Sequence, residues 1–250
     1  MTAPTSVTDS RKQAGIVLAG SVAVTLALWL IPSPQHTWFL LAPFRWLHIY
    51  VHEYGHGIAA LLIGQHFDHF DLFTYSGVAY TSQPSSGLGQ AFVAAGGLCG
   101  PAVVGALFLA VGSDVKWARR MLGAFGAFIA ISLLIWTRTW FGWVFGGVLA
   151  AGTLLVAFKA RPAIAQIVLV FLAVQLALSV YIGGGYLFMK EATIQDGTTR
   201  ASDTQHMAEA LVGPYWFWGL VCAVFSVAVL LLGSYLYFRG ITKKKKLAAA

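Results

Sequence analysis

The chain has 250 residues, 58% of them hydrophobic and only 10% charged, with a mean hydropathy of +0.74. Soluble domains carry roughly a quarter charged residues, so this composition excludes an ordinary water-soluble domain and requires lipid. The net charge of +7 does not point to nucleic acid, because the basic residues stand in short clusters beside apolar runs, where they hold span ends at anionic headgroups.

With no water in the bilayer core, each sustained apolar run has to be helical. The first, Ala14 to Ile31, follows Arg11 and Lys12 in the manner of a signal peptide, but its length suits a span and no small-residue cleavage site follows. After the turn Pro32-Ser33-Pro34 the pattern predicts a second helix at about His36 to Gly64 and a third at about Leu88 to Val111. Between them, Gln65 to Ser86 reads as a short membrane-associated β-hairpin turning at Ser76-Gly77. The stretch Met121 to Phe158 is too long for one span and predicts two helices meeting at Thr137-Arg138-Thr139. Further spans are expected at about Ile164 to Phe188 and Pro214 to Phe238. The polar segment Lys190 to Gly213 separates them, and its second half predicts a short helix capped by Ser202 or Asp203. The expectation is therefore an all-α polytopic membrane protein, a bundle of six to seven transmembrane helices with one hairpin. Residues 1–245 read as a single domain, and Lys246 to Ala250 resemble a vector-derived run. Cys99 and Cys222 lie in different apolar segments without a Cys-x-x-Cys unit, which indicates packing rather than a thiolate metal site or a disulfide framework.

The decisive feature is His52-Glu53-Tyr54-Gly55-His56, which sets two imidazoles at i and i+4 on one helix face with a carboxylate beside the first. This H-E-x-x-H arrangement lets both histidines bind one zinc ion while Glu53 takes the proton of an activated water. A carboxylate near the bilayer centre costs roughly 2.5 to 3.5 kcal/mol on insertion scales, so the set reads as functional rather than incidental. Gly55 and Gly57 would let another backbone approach the helix there, or serve ordinary small-residue packing. A third protein ligand is needed, and Asp203 is the first choice, with Asp196 and His206 behind it. Counting spans brings the loop before the last helix to the same membrane side as His56; an N-cap role is the alternative for Asp203. His48 would crowd the metal and reads as a packing residue, and the His66, Asp68, His69, Asp71 cluster reads as solvated turn residues.

Together with the Ser76-Gly77 hairpin, the Ala94-Ala95-Gly96-Gly97-Leu98-Cys99-Gly100-Pro101 span start and Ser202-Asp203-Thr204-Gln205-His206-Met207-Ala208, the motif resembles the small bacterial branch of the site-2 protease family of zinc metallopeptidases. The resemblance runs from about Phe44 to Pro214. It implies a membrane-embedded fold, one catalytic zinc held by His52 and His56, Glu53 as catalytic acid/base, substrates that are membrane proteins with a transmembrane segment, and residence in a bacterial cytoplasmic membrane. The chain departs from better-studied members in lacking a Leu-Asp-Gly or Asn-x-x-Pro-Gly element within a span. Thr137-Arg138-Thr139-Trp140-Phe141-Gly142 resembles an Arg-Asn-x-Phe-Gly element with Thr139 in the Asn position. Arg138 would orient a carboxylate or the substrate backbone, or anchor a helix end.

A substrate helix has to unwind before its carbonyl is accessible, and a strand edge over Val78 to Ser82 would hold it extended by β-addition. Gly77, Val78 and Tyr80 are the expected contacts, and a lid that plugs the groove is the other reading of the hairpin. The predicted function is intramembrane zinc proteolysis. Its rivals are a non-proteolytic scaffold retaining the zinc-site fold, a membrane metal transporter, and a zinc hydrolase of lipid amides or esters. The positive-inside rule puts the C-terminus in the cytoplasm and the active-site loops outside, whereas the family resemblance implies a site open to the cytoplasm.

Overall fold

The computed structural model describes residues 7–30, 34–82, 87–182, 185–193 and 197–248. In chain order they form α1 (Val7–Leu30), α2 (Pro34–Leu62), β1 (Phe67–Leu72), β2 (Gly77–Thr81), α3 (Gly87–Gly112), α4 (Val115–Ile135), α5 (Trp140–Lys159), α6 (Pro162–Ile182), a single 3-10 turn η1 (Tyr186–Phe188), β3 (Glu191–Thr193), β4 (Thr199–Ala201), α7 (Asp203–Ala210) and α8 (Tyr215–Ala248). Asp196, Pro32, Ser33 and the final Ala249 and Ala250 lie outside the described residues.

Four helices, α3, α4, α5 and the Tyr215–Ile241 part of α8, are long and apolar enough to cross a membrane. Helices α1 and α6 add shorter apolar stretches at Gly15–Ala27 and Pro162–Leu178. The chain is an integral membrane protein. By this measure the described residues give fewer spans than the six to seven expected. One reason is that α2, though 29 residues long, carries Arg45, His48, His52, Glu53 and His56, and each polar group subtracts from its hydropathy. The sixth expected span also stops earlier, at Ile182, and Tyr186–Phe188 form η1. The last helix runs on beyond Phe238 to Ala248, since nothing in the basic run breaks a helix.

The break at Thr137-Arg138-Thr139 is where the sequence predicts it, and its hydrogen bonds explain it. The Arg138 guanidinium donates to the carbonyls of Ile135 (2.7 Å) and Thr137 (3.1 Å), closing α4. Thr139 then caps α5 by accepting from Gly142 N–H at 3.3 Å. At the other end of this helical pair, Asp114 caps α4, and Arg119 donates to the Ala157 and Phe158 carbonyls at the end of α5.

The same linker holds the hairpin. Strands β1 and β2 pair antiparallel, with Leu72 opposite Gly77 and Phe70 opposite Ala79. On its other side β1 meets the linker: Phe70 N–H donates to Trp136 O (2.9 Å), Arg138 N–H to Phe70 O (3.4 Å), and Thr139 Oγ1 binds both the N–H and the carbonyl of Leu72. One edge of the hairpin is thus covered, and β2 is the outer strand. A second two-stranded sheet, β3 with β4, was not anticipated; its strands are three residues each, too short for an alternating pattern to register.

Helix α3 packs against α2, α4, α6, α7 and α8. Its approach to α2 is set by glycine. A Cβ on Gly55 would fall on the Gly96 carbonyl oxygen, one on Gly96 would lie 2.6 Å from the Gly55 carbonyl oxygen, and Gly100 sits over the same turn. Backbone meets backbone here, with no flexible side chain to yield. Replacing Gly55 by Ala is therefore expected to destabilise the fold by roughly 1–3 kcal/mol. Thermal unfolding in detergent checks this against Gly147→Ala, where an added Cβ meets nothing within 4 Å and the melting temperature should not fall.

Candidate metal centre

His52 and His56 are one turn apart on α2, so their imidazoles project from the same face. Their Nε2 atoms stand 3.2 Å apart. From the opposite side α7 brings Asp203, whose Oδ2 lies 3.1 Å from His52 Nε2 and whose Oδ1 lies 3.4 Å from His56 Nε2. The three groups offer ligand atoms all within 4.8 Å of one another and form a candidate metal site.

Further contacts orient His56 and Asp203. His56 Nδ1 is 2.8 Å from the Val93 carbonyl oxygen; as a carbonyl only accepts, Nδ1 carries a proton, and the ring so held turns its Nε2 edge toward His52 and Asp203. Gly97 makes room for this ring, since a Cβ there would fall on His56 Nε2. Asp203 is the first residue of α7, yet it is not the cap: Ser202 has the extended conformation and accepts from Gln205 N–H at 3.2 Å. Capping by Ser202 leaves the Asp203 carboxylate free to face the histidines. Burial raises the Asp203 carboxyl, but His56 and His52 outweigh it and hold the group well below the usual carboxylate range. It is an anion at neutral pH.

Glu53 is buried on the adjacent face of α2. Strand β2 lies over it: a Cβ on Gly77 would come within 2.7 Å of Glu53 Cγ and 2.9 Å of its Oε1, and the Ala79 backbone is in hydrogen-bonding contact with the carboxyl. Phe70 and Leu72 spend their backbone groups on the linker, so their partners Ala79 and Gly77 direct theirs to the outer edge, over Glu53.

Several expected residues stand elsewhere. His206 is on the exposed side of α7, 3.9 Å from Glu209, away from the triad. Arg138 is engaged with helix-end carbonyls, the anchoring geometry. Tyr80 stacks on His69 with centroids 4.3 Å apart; with Val78 it occupies the alternate positions of β2, so the strand residues facing Glu53 are Gly77 and Ala79. Asp196 lies outside the described residues. The cysteines, distant in sequence, pack together near α7: Cys99 Sγ lies 4.0 Å from the Cys222 carbonyl oxygen, and Cys222 Sγ 3.9 Å from Met207 Sδ.

Sequence reasoning passed over Tyr186. Its hydroxyl donates to Asp203 Oδ2 at 3.2 Å, and its ring meets that of His52 edge-on at 5.7 Å. Burial, and then the Asp203 charge, push its phenol up, so it stays a protonated donor. An aromatic residue ahead of a polar loop carries no signal that could have singled it out.

The profile of the Peptidase M50B-like family matches residues 18–233, a stretch that includes the whole site. No curated protein and no solved structure gives a significant match.

Gly97→Ala should displace the His56 ring and open the triad while the fold persists, because the ring is the part free to move. Bound divalent metal per chain, by elemental analysis of detergent-purified protein, is expected to fall severalfold, with the helical circular dichroism unchanged.

Proposed function

Because the chain belongs to the Peptidase M50B-like family, we propose that it is an intramembrane zinc metalloprotease, hydrolysing peptide bonds in or near transmembrane segments of membrane-protein substrates. The observation that carries this reading is the convergence of His52, His56 and Asp203 beside the buried Glu53. A tetrahedral zinc with bonds of about 2.0–2.1 Å separates its ligand atoms by about 3.3–3.4 Å. The separations here are 3.1, 3.2 and 3.4 Å, and two neutral imidazoles with one carboxylate make a donor set suited to zinc with a position left for water. The residues present fit one zinc ion.

When bound, zinc acidifies a water and polarises a carbonyl. Glu53 accepts the proton of the attacking water and returns it to the amide nitrogen that departs. Burial beneath β2 keeps this carboxylate out of bulk solvent, and Gly77, carrying no side chain, leaves room for it under the strand. His56, oriented by Val93, and Asp203, oriented from α7, hold their lone pairs on the metal position.

The outer edge of β2 suits substrate presentation. Gly77 and Ala79 direct their backbone groups to the outer edge beside the site, so an unwound substrate segment added there as a strand would lay its carbonyl over the catalytic groups. In this reading the hairpin presents the substrate rather than plugging the groove.

The test is zinc content and cleavage of a model transmembrane substrate, measured together. Wild type is expected to hold one zinc per chain, His56→Ala to lose it, Asp203→Ala to bind it more weakly, and Glu53→Gln to keep it while cleavage drops by on the order of a hundredfold or more. A metal-replete wild type without zinc would sink the proposal. Cleavage that survives Glu53→Gln would remove the role given to that residue.

A further inference from the structure

We infer that Tyr186 is a positioning residue of the metal centre, its hydroxyl holding the Asp203 carboxylate in place for the metal, and that η1 and α7 form one preassembled unit delivering both. The inference rests on the metal-centre reading and adds to it a residue lying 17 positions before Asp203, in a different element.

Three observations carry it. First, the phenol reaches the carboxylate oxygen nearest His52: Asp203 Oδ2 is 3.2 Å from Tyr186 Oη and 3.1 Å from His52 Nε2. A carboxylate oxygen has two lone pairs, so the tyrosine bond fixes the carboxylate without consuming its ability to bind a cation. Second, the ring is itself held. It packs edge-on to His52, the next residue Leu187 is buried with Met207, Leu98 and Cys222, and Gly219 of α8 lets η1 settle on the helix, since a Cβ there would fall on the Leu187 carbonyl oxygen. Third, η1 and α7 are tied at the base of the β3–β4 hairpin. The Met189 carbonyl accepts from both the Ser202 and Thr204 hydroxyls, and Ser202 N–H donates to Lys190 O at 3.0 Å. None of these bonds involves the histidines.

The geometry has a physical rationale. Asp203 comes from an eight-residue helix outside the long apolar spans, so its carboxylate is placed by contacts from other elements. A neutral donor restrains it without competing for the metal as a second cation would. Partners of this kind typically contribute 10- to 100-fold to metal affinity or activity.

The test measures the zinc affinity of the full chain in detergent, by competition with a chromophoric chelator, for wild type, Tyr186→Phe, Asp203→Asn and the double variant. The melting temperature of each metal-free protein is recorded alongside. Tyr186→Phe removes one hydroxyl and keeps the ring against His52; it is expected to weaken zinc on the order of tenfold with the metal-free melting temperature unchanged. In the Asp203→Asn background, where affinity is already reduced, the same change should add nothing, because the hydroxyl acts through that carboxylate. Zinc affinity within twofold of wild type, with or without a lower melting temperature, overturns the inference and leaves Tyr186 a packing residue. An equal loss in both backgrounds overturns it too. Failure of wild type to bind zinc would instead strike the metal-centre reading, and this inference with it.

Discussion

The contact on which the rest of the centre depends is the close approach of α2 and α3. At Gly55 and Gly96 the two backbones touch, a distance open only where neither helix carries a side chain. That approach brings the Val93 carbonyl to His56 Nδ1 and sets Gly97 against the His56 ring. A wider spacing would lose the carbonyl that orients the ring, and a side chain at position 97 would occupy its space. In lipid, where apolar surface gives helices little reason to associate, packing of this kind carries much of the association energy.

Around the helix pair, two polar segments outside the long spans supply what the helices lack. The hairpin covers Glu53 from one side through Gly77 and Ala79, and α7 brings Asp203 from the other. Each is anchored by hydroxyl groups: Thr139 ties β1 to the linker between α4 and α5, and Ser202 with Thr204 ties α7 to the end of η1. Buried carboxylates are costly unless they are paired or hydrogen-bonded. Here each has a distinct set of partners, which separates a proposed acid/base from a proposed ligand in the same centre.

The helical breaks and the motif were legible from the chain because they are local. Sustained apolar runs in lipid leave helix as the available structure, Thr137-Arg138-Thr139 interrupts one such run, and the i, i+4 spacing of His52 and His56 sets them on one face whatever surrounds them. The choice between capping and facing the histidines for Asp203 was not legible, since Ser202 and Asp203 are both good caps. The structure resolves it by capping with Ser202. Nor could the alternation of β2 be read for direction: a strand puts successive side chains on opposite faces, but which face looks at Glu53 depends on what the strand packs against. The meeting of Cys99 with Cys222 likewise joins chain segments far apart in sequence, whereas β3 and β4 are too short to show a pattern and Tyr186 is an aromatic residue like many others in an apolar chain.

By itself, then, the sequence determined that this chain lives in a membrane, that it is built mostly of helices with a hairpin after the second, and that one helix carries a histidine pair at metal-ligand spacing beside a carboxylate. Composition and spacing suffice for these, because bilayer solvation and helical periodicity act over a few residues at a time. Only the tertiary structure decided which acidic residue completes the triad, which strand edge is left open beside Glu53, and which hydroxyl meets Asp203. Those are distances between segments separated by from 17 to more than a hundred residues, set by how closely α2 and α3 approach and by where η1 and α7 come to rest.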